Sequence, residues 1–308
     1  MTIKHLVISG GGPTLIKSLG ACQYLEKNNF WKIDDIQSIH GTSAGAVIGG
    51  ILCMRYDWET LNTYIIDRPW HEAYSFNIKS ILDAYTNRGI FGKKFVEIAF
   101  KSLLLGKDLS LEITLKEFYE YSKIELYMYS FEMNHFQMET ISYKTYPDLS
   151  LVTALQMTCA IPILISPVCL DGKCYVDGGV VSNYPINYCL DMVEDTNEIL
   201  GFRNDYEERK KCNIINEDST LLDYIMVFLY KLIFQLSEDD KHKNLPIPHE
   251  VTYSAQYLSF EYIKSALSSA TIRKEFLENG IHAARDFLNK KNETITDLHL
   301  QNGIQKLA

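Results

Sequence analysis

No apolar run in this 308-residue chain reaches the roughly 18 residues that a membrane-spanning helix needs. The best candidate, residues 221–236, is interrupted by Asp223 and Lys231, so no span is expected. The amino terminus lacks a leader pattern: Met1-Thr2-Ile3-Lys4-His5 runs into an apolar strand with no small-residue cleavage site, and a cytoplasmic protein, at most peripheral at membranes, is expected. The cysteines Cys22, Cys53, Cys159, Cys169, Cys174, Cys189 and Cys212 form no CxxC pair, and no histidine pair has zinc spacing. They read as free, reduced thiols. Internal repeats and low-complexity tracts are also missing. Positive charge is scarce, with 30 Lys and Arg against 39 Asp and Glu, and the net charge of −9 argues against non-specific attraction to nucleic acid or an anionic membrane.

What is present suits a folded globular protein, since hydrophobic residues make up 46% and charged residues 22%, a balance that excludes a mainly disordered chain. Residues 3–9 read as a buried strand ending in Gly10-Gly11-Gly12-Pro13. Leu15, Leu19, Cys22 and Leu25 then repeat at helical spacing until Asn28-Asn29. A second unit follows the same plan, with a strand over 36–40, a tight turn over 41–45 and an apolar helix over 46–54. Two such units imply a parallel sheet covered by helices. The pattern is mainly helical over 57–123, interrupted by the breaker Asn87-Arg88-Gly89, and becomes strand-like over 124–131 and 136–142. A helix over 151–159, a strand around 198–202, a polar loop over 204–220 and a mainly helical remainder with a strand at 251–254 complete the reading.

Gly41-Thr42-Ser43-Ala44-Gly45 sets a serine between a buried strand and an apolar helix. Small neighbours on such a turn expose Oγ, and the following helix directs its N-terminal amides toward charge developing on a bound carbonyl. The same glycines would also serve close helix packing, with Ser43 as a cap. An α/β-hydrolase builds several strands before its serine turn, whereas only one strand–helix unit and one short strand precede Ser43. The later histidines His71, His135, His242, His249, His282 and His299 sit in no recognisable catalytic turn.

Gly10, Gly11 and Gly12 can bring backbone N–H groups close to a substrate and form an oxyanion hole, or they can bind phosphate at a helix start. Neither a Gly-Lys-Ser/Thr ending nor Gly-x-Gly-x-x-Gly spacing is present to favour a nucleotide. Asp177-Gly178-Gly179 alone is an ordinary turn sequence.

Taken in order, the triple glycine, the Ser43 turn and the Asp177 turn resemble the patatin-like phospholipase family, as do Ala160-Ile161-Pro162, Ser166-Pro167-Val168 and Asn183-Tyr184-Pro185. The resemblance covers roughly residues 3–190. It implies an α/β fold with a mixed, mostly parallel central sheet flanked by helices. It also implies a Ser43/Asp177 dyad without histidine, metal or cofactor, and a phospholipid or other lipid ester as substrate, met by transient membrane contact. Residues 1–200 would form the catalytic domain and 201–308 a helical extension packed on it. The amides of Gly11 and Gly12, with Gly10 in the same turn and Ala44 after the serine, would hold the oxyanion, and Gly41, Gly45, Gly178 and Gly179 would shape the turns. The chain departs from the family where a small residue, a basic residue and a glycine usually follow the triple glycine, since Pro13-Thr14-Leu15 stands there; Lys17 is the nearest cation.

Two other readings stay open: a catalytically weak lipid-binding protein on this scaffold, and a nucleotide-binding protein using the triple glycine. The apolar helix over 221–234 is expected to pack in the core, because interfacial helices usually carry a more strongly charged face.

Overall fold

The computed structural model describes residues 2–74, 85–206, 215–217, 219–236, 247–256 and 258–305. The first strand, β1 (His5–Ile8), and the second, β2 (Ser38–Thr42), are almost wholly buried, as central parallel strands covered on both faces must be. Helix α1 (Leu15–Lys27) joins them, entered through a short 3-10 turn over Gly12–Thr14 with Pro13 where a missing N–H costs nothing. Helix α2 (Ala44–Cys53) leaves β2 through Ser43. The chain then forms short helical turns at Trp58–Asn62 and Trp70–Ala73, strand β3 (Gly89–Phe91), helix α3 (Lys93–Leu105) and helix α4 (Leu115–Ser122). Thr114 and Glu117 start α4 by a reciprocal capping box, each side chain accepting the other's backbone N–H.

Strands β4 (Glu125–Glu132) and β5 (Gln137–Ile141) form a hairpin, and helix α5 (Leu151–Cys159) follows. Strands β6 (Ile163–Ile165), β7 (Val168–Leu170), β8 (Lys173–Asp177), β9 (Ile199–Asp205) and β10 (Glu250–Ser254) complete the set. The main sheet runs β10-β9-β1-β2-β4-β8-β7, with β5 also on β4. Its β10 to β4 portion is parallel and its β4, β5, β7 and β8 pairings are antiparallel. This is the mixed, mostly parallel sheet between helices that the sequence implied.

Three helices close the chain: α6 (Leu221–Leu236), α7 (Phe260–Ser268) and α8 (Ala270–Gln305). The last packs along α1, where two glycines let the backbones nearly touch. A Cβ on Gly20 would lie 2.2 Å from the Leu277 carbonyl oxygen, and one on Gly280 would lie 1.9 Å from that of Lys17. Both strand β10 and helix α8 are therefore built into the body that holds β1.

Three sequence expectations change. The segment around Gly89 was read only as a breaker, but β3 pairs with β6 in a separate two-stranded sheet; three residues are too few for alternation to register. Cys169 and Cys174, directly opposite in the β7–β8 hairpin, are joined as a disulfide, while Cys22, Cys53, Cys159 and Cys189 are free and buried. Helix α6 is not a core helix: Met226 is buried, but Leu221, Tyr224, Phe228 and Leu232 are exposed. Cys212 and residues 207–214 of the anticipated polar loop lie outside the described residues.

Candidate active site

The register of β4 explains how Ser43 and Asp177 meet. Strand β2 ends with Thr42 opposite Tyr129, and the antiparallel β8 ends with Asp177 opposite the next residue, Ser130. Two strands far apart in sequence thus terminate at one point on β4. The turns that follow them, and the glycine turn after β1, gather beyond the carboxyl ends of the parallel strands, where open α/β sheets bind ligands.

Ser43 sits at φ 54°, ψ −123°, a conformation costly for a residue with a Cβ. Its surroundings hold it there. The Ser43 N–H donates to Thr158 Oγ1 at 2.9 Å, and the Thr158 hydroxyl donates to the Tyr129 carbonyl at 2.5 Å. The Ser43 carbonyl already accepts from Val47 N–H at 3.2 Å, so helix α2 begins within the turn. Gly45 permits this seat: a Cβ there would lie 2.1 Å from the Ile8 carbonyl oxygen. Thr158 carried no recognisable signal in the sequence, since threonine in an apolar helix reads as packing.

Asp177 is 4% exposed, and its carboxyl is pushed up to about 7 by burial, against the opposing pull of the nearby Ser43 hydroxyl and of the Gly179 N–H. The Gly179 bond is 2.7 Å long. The Asp177 N–H donates to the Ala160 carbonyl at 3.0 Å, which ties the carboxylate turn to the end of α5. Cys159, next to Ala160, is also close to Ser43, and burial together with the Asp177 charge holds its thiol protonated.

Among the described residues no histidine takes the place of Asp177. His40, three residues before Ser43, is fully buried and spends Nε2 on Ser38 Oγ at 3.0 Å and Nδ1 on the Tyr129 hydroxyl at 2.8 Å. Burial lowers it to about 3. His71, His135 and His282 are on the surface, and His249 is buried against the Phe30 ring. His242 and the side chain of His299 lie outside the described residues. Among the described residues no cluster of His, Cys, Asp and Glu is arranged to hold a metal ion.

The glycine turn lies against the serine, for a Cβ on Gly10 would be 3.0 Å from the Ser43 Cβ. Gly10 itself must be removed from the expected oxyanion donors, because its N–H donates to the Asn183 carbonyl at 2.9 Å. Its carbonyl accepts from the side-chain amides of Asn183, at 3.1 Å, and Asn204. These asparagines brace the turn from the segment after Asp177 and from β9; Asn204 had no sequence signal. The N–H groups of Gly11, Gly12 and Ala44 have no acceptor among the described residues. Ala44 also opens α2, at the positive end of its dipole. Lys17 does not supply the missing cation: it is buried on α1 and donates to the Ser254 carbonyl at 2.7 Å.

A cavity of about 210 Å³ leads from Ser43, Gly12 and Ala44. Its walls are almost wholly apolar, including Val47, Phe91, Phe95, Leu164 and Leu258. Arg273 also borders it, but its guanidinium is fully engaged. Nε and Nη2 donate to the Ile66 carbonyl, Nη2 also to Arg68, and Nη1 to Ala266 and Leu267, at 2.6–3.1 Å. The arrangement offers a buried hydroxyl, an adjacent base, amides for an oxyanion and an apolar slot.

Comparison with known proteins agrees in extent and fold. A family profile described as Patatin-like phospholipase matches residues 6–190. The chain is 26% identical over 189 residues to probable lipid hydrolase 463L of Invertebrate iridescent virus 6, covering 61% of this chain and 63% of the relative. It is 27% identical over 197 residues to the uncharacterized protein YqhO of Bacillus subtilis (strain 168), covering 58% and 64%. The matched part thus spans under two thirds of each of these relatives. The crystal structure of VipD from Legionella pneumophila superposes with a TM-score of 0.53 at 16% identity, over 94% of this chain and 67% of that one, a likeness of fold.

Proposed function

Because the chain belongs to the patatin-like phospholipase family, we propose that it is a lipid acyl hydrolase of phospholipase A type that cleaves carboxylic esters through Ser43 and Asp177. The observation that carries this reading is the placement of Ser43 beside Asp177, a buried carboxylate that burial has made basic enough to accept the hydroxyl proton near neutral pH.

Ser43 Oγ attacks the ester carbonyl carbon as Asp177 takes the hydroxyl proton. The carbonyl oxygen becomes an oxyanion facing the N–H groups of Gly11, Gly12 and Ala44, each such donor being worth about 3 kcal/mol. Collapse expels the alcohol, the lysolipid, which leaves with the proton from Asp177, and the acyl group stays on Ser43. Asp177 then draws a proton from water, whose oxygen attacks the acyl-enzyme. Return of that proton to Ser43 releases the fatty acid. The apolar cavity receives the acyl chain, and the base in both halves is a side chain, so no metal enters the scheme.

The test is a lipid-hydrolysis screen in which wild type, Ser43→Ala and Asp177→Asn are compared for released fatty acid and lysolipid. Activity is expected in wild type alone. Unchanged activity in both variants overturns the dyad. Pro13 and the committed Lys17 favour one second reading, a catalytically weak lipid-binding protein on the same scaffold. Failure of a fluorophosphonate to label Ser43 in folded protein would select it.

A further inference from the structure

Helix α6 poses a physical problem that the active site does not absorb. Of its sixteen residues only Asp223, Lys231 and Gln235 are neither apolar nor aromatic, the composition of a helix buried on every side. Its start is secured locally, with Asp223 accepting from the N–H and hydroxyl of Thr220 at 3.0 and 2.6 Å and returning its own N–H to the Thr220 hydroxyl at 3.2 Å. On the inner side Met226 is 5% exposed and joins the apolar cluster of Cys159, Leu164 and Leu258 that lines the acyl cavity. The helix also packs against Gly178–Val180, the turn that follows Asp177. On the outer side Leu221, Tyr224, Phe228 and Leu232 are 75%, 52%, 52% and 43% exposed. Their spacing of three, four and four residues puts them on one stripe, and the rings of Tyr224 and Phe228 stack with centroids 6.4 Å apart.

We propose that this stripe docks the protein on a zwitterionic lipid surface, presenting the cavity mouth to lipid; the assignment rests on the acyl-hydrolase reading. A free interfacial helix needs a strongly charged face because its other side meets water. Here that side meets the protein through Met226, so no charged face is required and the helix stays apolar. Charge selects the kind of surface. The chain carries −9, and within the described helix Lys231 is the one cation that could attract anionic headgroups. Insertion of apolar side chains, not attraction to phosphate, therefore supplies the binding. The stripe is continuous, through Met226, with the wall of the slot that receives the acyl chain, so a lipid drawn from the docked surface has a short apolar path to Ser43.

The test uses the full chain carrying Ser43→Ala, so that vesicles are not consumed, in co-sedimentation with phosphatidylcholine vesicles with and without phosphatidylglycerol. Binding to phosphatidylcholine that is insensitive to salt is expected. Tyr224→Ser/Phe228→Ser/Leu232→Ser should weaken it at least about a hundredfold, and Phe228→Ser alone about tenfold. Leu105→Ser is the control: it removes another exposed apolar side chain, on the helix whose end contacts Tyr56 beyond the far end of α2, and should leave binding unchanged. Equal binding by the triple variant overturns the proposal. So does binding confined to phosphatidylglycerol and lost in salt, or a dimer in wild type that the triple variant breaks without change in vesicle binding. Hydrolysis of a dispersed short-chain ester separates the two readings. If the Ser43 enzyme and its triple variant both cleave it while vesicle binding ignores the stripe, docking falls and the hydrolase stands. If neither cleaves it but binding follows the stripe, the hydrolase falls and the docking surface stands.

Discussion

Replacing Asp177 with asparagine should abolish hydrolysis and, at alkaline pH, make the protein more stable. The carboxyl is buried at 4% exposure and held at about 7, against an ordinary value of 3.8. Between those values the unfolded chain has released this proton while the native protein retains it. The native state therefore binds more protons, and stability falls as pH rises from about 4 to about 7, then levels off. The roughly three pH units involved, at about 1.4 kcal/mol each, set the cost of the buried charge at up to about 4 kcal/mol above neutrality. Asparagine has nearly the same shape, can accept the Gly179 N–H as the carboxylate does, and carries no charge. At about pH 5, where wild type is itself largely protonated, the two proteins should melt close together. At about pH 8.5 the variant should melt roughly 4–8 °C higher, given the unfolding entropy of a chain of this size. Thermal unfolding by circular dichroism at both pH values reads this out. An equal Tm difference at the two pH values, or a variant less stable at pH 8.5, would refute the account of Asp177 as a base made by burial.

The same carboxyl should govern rate: kcat/KM for a soluble ester is expected to rise about tenfold per pH unit below about 7 and to flatten above it, because only the ionised form accepts the Ser43 proton. A profile flat from about pH 5 to 8 would assign the base elsewhere. Thr158→Val removes the acceptor of the Ser43 N–H and the donor to Tyr129; a stability loss of about 1–3 kcal/mol and a fall in kcat exceeding that in KM are expected, measured by urea unfolding and steady-state kinetics. Gly45→Ala would force a Cβ into the Ile8 carbonyl, and a loss of more than about 3 kcal/mol should appear as insoluble or molten protein on expression. Val47, one turn after Ser43 on the cavity wall, should set chain length: Val47→Phe is expected to depress hydrolysis of long-chain esters relative to short ones by at least about tenfold, and an unchanged ratio would move the acyl site away from this cavity.

Local sequence carried the elements that local forces decide. Helix α5 occupies the span that its apolar spacing predicted, and α1 stops at Asn28, where the pattern breaks. Strand β10 appears at the alternating stretch after Pro246 and Pro248. The short β3 escaped notice because its pairing with β6 is wholly non-local. Helix α6 was misjudged for a related reason: composition reports how apolar a helix is, and only its neighbours decide which side they cover.

At the site, the Ser43 and Asp177 turns were legible as motifs, since small residues flanking a functional one leave a mark at fixed spacing. The bracing was not. Thr158 and Asn204 carried no signal, and Asn183 was marked only as part of a motif; all three act through hydrogen bonds between segments distant in sequence, and Gly10 loses its N–H to Asn183. Nor could sequence show that His40, three residues from the serine, is fully spent on Ser38 and Tyr129. The sequence by itself determined the family, the sheet class and the identity of the two turns, because these follow from short-range pattern and glycine placement. Only the tertiary structure decided that β2 and β8 end at one point on β4, because strand register is set by pairing between distant segments. The same packing buried Asp177 deeply enough to raise its carboxyl to about 7, since desolvation depends on everything around the carboxylate and on nothing in the tripeptide that carries it.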